Sequence, residues 1–124
     1  FTHLGIKRPT WETDPLGNSF GAGGLFLTLS ELHKFGLFYL NKGSWNGKQI
    51  LSEKWIEEST SASDTDDYGY LFWRGEHNSF RADGKYSQIT MVLPEKNAVV
   101  SLVAECRKGE ELMRALYDLV CAKI

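Results

Sequence analysis

Cysteine is nearly missing from this sequence, and its scarcity removes one class of fold at once. Cys106 and Cys121 are the only two, too few for a disulfide scaffold. Neither has a metal-ligand neighbour at short spacing, and His3, His33 and His77 stand far apart, so no metal is expected. No apolar run reaches the roughly 20 residues of a membrane-crossing helix, and no signal-peptide pattern occurs, so no membrane segment is expected. An excess of one charge is also lacking. Fourteen basic residues face 16 acidic ones for a net charge of −2, which excludes a broad basic surface for nucleic acid. Gly21, Gly23 and Gly24 do not complete a dinucleotide-binding fingerprint, because Phe26 stands where the third glycine belongs. No Gly-Lys-Ser/Thr follows them, so no cofactor is expected.

What is present describes one domain over residues 1–124, with 42% hydrophobic and 24% charged residues, enough to bury a core. Residues 1–24 are punctuated by Pro9, Pro15 and five glycines and read as loop. So long an irregular start predicts packing against further structure. Thr28-Leu29-Ser30-Glu31 is a capping box opening a helix whose buried stripe is Leu32, Phe35, Gly36 and Tyr39. Gly43 takes the left-handed position after it, and Asn46-Gly47 a tight turn. Ser52 caps a shorter helix to about Ser59, with Trp55 and Ile56 as apolar contacts. Glu53, Glu57, Glu58, Asp64, Asp66 and Asp67 read as a solvated helix face followed by an exposed loop, Ser59 to Asp67.

Three strands are expected next: Tyr68–Trp73, Gln88–Leu93 and Ala98–Glu105. Pro94-Glu95-Lys96-Asn97 turns the second into the third. The third is apolar almost throughout, which predicts burial on both faces at a sheet centre. A closing helix runs from about Gly109, its core stripe Leu112, Leu116, Leu119 and Val120 flanked by Met113 and Ile124. The expected class is α+β: a three-stranded antiparallel sheet, a C-terminal helix packed on it, and two preceding helices.

Few residues point to chemistry. Gly17-Asn18-Ser19-Phe20-Gly21 matches a nucleophile-elbow string, but no strand precedes it and no helix follows. His33, beside Lys34, is expected at the helix surface. The four tryptophans are scattered and read as core or cleft walls. No carboxylate pair is singled out for glycoside chemistry. In Phe80 to Gln88, Asp83-Gly84 reads alone as a turn and Lys85 as a solvated cation.

The order of motifs resembles the C-terminal portion of the serine β-lactamase and penicillin-binding-protein-like family, near its class C and esterase branch. The resemblance runs through Leu4-Gly5-Ile6, Gly21-Ala22-Gly23-Gly24-Leu25, Leu32-His33-Lys34-Phe35-Gly36 and Trp45-Asn46-Gly47-Lys48. It continues through Tyr68-Gly69-Tyr70, Ala82-Asp83-Gly84-Lys85-Tyr86-Ser87-Gln88 and Val92-Leu93-Pro94-Glu95. It implies a partial β-lactamase-like fold and a parent that hydrolyses amides or esters of a small molecule or peptide. The family's Ser-x-x-Lys motif is absent here; Ser30 has Lys34 one residue too far. Tyr39-Leu40-Asn41 imitates the family's Tyr-x-Asn but follows the glycine-rich segment instead of preceding it. The Lys-or-His-x-Gly element falls on Ala82-Asp83-Gly84, with Ala82 in place of the cation and Lys85 nearby. Ala82, Asp83, Gly84 and Lys85 are therefore the candidate cleft-edge residues, and no catalytic residue is assigned.

Two function classes remain: the C-terminal part of a serine hydrolase, inactive alone, or a catalytically dead binding module. In the family the last strand pairs with strands from the N-terminus. Val99–Ala104 is thus expected as an apolar edge for self-association or for a separate N-terminal piece.

Overall fold

The computed structural model describes residues 1–21, 23–63 and 67–124. Strands β1 (Thr10–Trp11) and β2 (Leu25–Phe26) precede helix α1 (Leu29–Leu40), strands β3 (Ser44–Trp45) and β4 (Lys48–Gln49), and helix α2 (Glu53–Thr60). β5 (Trp73–Arg74), β6 (Phe80–Gly84), β7 (Gln88–Leu93), β8 (Ala98–Leu102) and α3 (Gly109–Leu119) follow. The first four strands form two separate ribbons, and the last four form one antiparallel sheet in the order β5-β6-β7-β8. The architecture is mixed, helices with antiparallel sheets, but the main sheet has four strands and not three.

The extra strand is β6, expected only as a lead-in. Phe80 and Ala82 alternate toward α1, while Arg81 and Asp83 project to the opposite face. There the Arg81 Nε donates to Asp83 Oδ2 at 2.9 Å, so neither charge is left uncompensated on a half-buried surface. Tyr68–Trp73, by contrast, is not a continuous strand. An added Cβ at Gly69 would collide with the Ser61 and Ser59 carbonyls, and Leu71 has a left-handed φ of 69°. Only Trp73 and Arg74 pair with β6, and Tyr68 meets Trp73 in an isolated bridge.

β7 is the buried centre: Ile89, Thr90, Met91, Val92 and Leu93 are all buried. β8 ends at Leu102, not Glu105, and among the described residues no strand pairs on its outer side; it is half-buried along its length. Its apolar character on both faces has a physical reason that does not require a central position. Val99 packs under α1, and Ala98 and Val100 pack against α3's side, so both faces need apolar residues whether or not a further strand pairs alongside.

Local signals set the helices. Thr28 accepts from the Glu31 amide while Glu31 accepts from Thr28, the full capping box. Gly36 brings α1 onto the sheet: a Cβ there would lie 2.6 Å from both Thr90 Oγ1 and Val99 Cγ1. Gly36, Phe38 and Tyr39 are buried, and Phe35 and Tyr39 join Phe72 and Phe80 in an aromatic cluster. Asn46 and Gly47, at φ 48° and 77°, make the two-residue turn between β3 and β4. Ser52 caps α2, whose Ile56 is buried; Trp55 instead lies exposed against Tyr70. The helix runs through Thr60, so the expected loop begins later, and its Asp64 and Asp66 lie outside the described residues, as does Ala22.

On the other sheet face, α3 packs Met113, Leu116 and Tyr117 over Ile89, Met91 and Leu93. Leu119, Val120 and Ile124, expected as part of this contact, are exposed. The Tyr117 hydroxyl, 3.0 Å from Ser79 Oγ, fixes the helix's roll toward β6 and turns Leu119 away.

Candidate functional site

The candidate cleft-edge residues share one short stretch with one open side. β5 pairs only with Phe80 and Arg81. Ala82, Asp83 and Gly84 pair with β7 on one side, and among the described residues no strand pairs on the other. Their outer backbone groups can accept an extended ligand as a further strand.

Each side chain has a distinct situation. Ala82 faces α1 and packs against the aromatic cluster. Asp83 is not an available general base, because Arg81 holds it, and the Arg81 guanidinium also lies 6.0 Å from the Trp73 ring centre. A Cβ on Gly84 would meet only Gln88, at 3.4 Å, so the chain's own packing does not demand glycine there. What glycine provides is a flat outer surface. Lys85 opens the turn between β6 and β7, where Tyr86 and Ser87 have left-handed φ of 64° and 69°. Its Nζ lies 5.0 Å from the Tyr86 ring centre, and the Arg107 guanidinium lies 5.6 Å from the same ring. The structure thus brings Ala82, Asp83 and Gly84 onto one strand and leaves Lys85 on the turn beyond it, not in Ala82's place.

On the α1 side of β6, Ala82 borders a cavity of about 600 Å³ whose walls are almost wholly apolar, including Trp11, Leu27, Leu32, Phe35 and Leu71. Leu71 is 73% exposed although its φ is left-handed, an unfavourable backbone for leucine.

The remaining sequence candidates lie elsewhere. Ser19 bridges Thr13 across a loop in which Asp14 accepts from the Leu16 and Asn18 amides and from Asn18 Nδ2. The Asn18 bonds hold the Asp14 carboxyl below the usual range. This is a turn, not a nucleophile elbow. Tyr39 is in the core, where burial pushes its phenol up, partly offset by a bond with Ser59. No group of three or more His, Cys, Asp or Glu among the described residues is placed to hold a metal. Cys121 is buried with its sulfur 3.9 Å from that of Met91, and burial raises its thiol.

His33 corrects an expectation. It is half-buried, its Nδ1 3.0 Å from Ser101 Oγ, which lies 2.8 Å from Thr90 Oγ1. This chain of polar groups links α1, β8 and β7. Its one sequence signal was a serine inside an otherwise apolar strand.

Neither a family model nor a curated protein matches this sequence. A solved structure does, described as "Putative 6-aminohexanoate-dimer hydrolase from Bacillus anthracis". It aligns with 91% of this chain at a TM-score of 0.73 and 22% identity. Over that length the two chains share a fold. The chain spans 32% of the length of that structure. At this identity the likeness shows the shared fold alone. The four-stranded sheet, with β6's edge and the two helices flanking β7 and β8, is the part of that fold present here.

Proposed function

We propose that this chain is the C-terminal part of a β-lactamase-like serine hydrolase and supplies one wall of its cleft. The observation that carries the reading is the open backbone edge at Ala82–Gly84 beside an apolar cavity, within a β-lactamase-like fold. An amide or ester drawn along that edge is held by main-chain hydrogen bonds, and its apolar portion fits the wall formed by Leu71 and Phe35. The neighbouring structure is described as a 6-aminohexanoate-dimer hydrolase, and a dimer of an amino acid is joined by an amide, which agrees with amides or esters as the substrate class of the intact parent.

The nucleophile belongs to a preceding segment. Without Ser-x-x-Lys no acyl-enzyme forms, so the chain by itself is inactive. A second reading, a catalytically dead binding module, is favoured by one observation: Ala82 stands where the resemblance places a cation, which removes electrostatic help at the reacting carbonyl. Incubation with nitrocefin and p-nitrophenyl acetate tests the first reading, with buffer-level rates expected. Saturable hydrolysis abolished by replacing one serine would overturn it. Crystals soaked with a short peptide test the wall itself: density along Ala82–Gly84 is expected, and binding confined to another surface would count against it.

A further inference from the structure

We draw no further inference here: the strongest candidate, the pocket beside the β6–β7 turn lined by Gly84, Tyr86 and Arg107, belongs to the cleft edge already described, and nothing in the structure shows what covers it.

Discussion

Replacing Gly36 with alanine sets two effects of opposite sign against each other. In a helix interior alanine is favoured over glycine by about 1 kcal/mol. Here, however, the new methyl would stand 2.6 Å from Thr90 Oγ1 and from Val99 Cγ1, well inside contact distance. Neither neighbour gives way easily. Thr90 is 1% exposed and bonded to Ser101, and Val99 is packed in the α1 core. Overpacking of this kind costs about 1–3 kcal/mol. Displacing Thr90 also breaks the chain of hydroxyls to His33, about 1 kcal/mol more. The balance is a net loss of roughly 1–3 kcal/mol, or about 5–15 °C in unfolding midpoint at roughly 5 °C per kcal/mol for a domain of this size. Urea titration by far-UV circular dichroism measures it, and Val99→Ala in the same chain should return part of the loss by making room. A neutral or stabilising Gly36→Ala would refute the close approach of α1 to the sheet.

Further expectations follow from single contacts. Leu71→Gly should stabilise the chain by about 1 kcal/mol, because it relieves a left-handed leucine at an exposed position; a lowered thermal midpoint would contradict this. Thr28→Ala should cost about 1 kcal/mol through loss of the α1 cap, read in the same melt. The Thr28 bonds hold the Glu31 carboxyl below its ordinary value of 4.5, so its contribution is present above that pH and is lost as pH falls through the lowered folded value. Glu31→Gln should flatten that acid limb, and an unchanged limb would exclude the capping box as its source. Asp83→Ala should cost about 1 kcal/mol through the partly buried pair with Arg81, less at high salt, as melts in low and high salt would show.

Much of the local structure was legible because it is written in short-range chemistry. Thr28 with Glu31, Ser52 as a cap, and Asn46-Gly47 each determine their geometry within four residues. The misses arose where distant groups decide. Arg81 and Asp83 disguised β6 as polar, yet each neutralises the other along one face of the strand. The aromatic run at Tyr68–Phe72 has a strand's composition, but Gly69 tucks against α2's end and Leu71 turns left-handed. For β8, apolar residues on both faces reported the covering helices and said nothing of its hydrogen-bonding edge. For the candidate residues, the sequence proposed Ala82–Gly84 as a cleft edge but disclosed neither the ion pair that occupies Asp83 nor the turn that separates Lys85 from the strand.

The central claim is that this chain is one wall of a hydrolase whose nucleophile lies in a preceding segment. The most direct measurement is the coding sequence ahead of Phe1, joined to an activity assay of its product. The account predicts an in-frame segment carrying Ser-x-x-Lys and then Tyr-x-Asn. It also predicts that the longer product hydrolyses an ester or amide that the 124-residue chain leaves untouched. A stop codon immediately ahead of this segment, or a longer product lacking the serine motif, would contradict it.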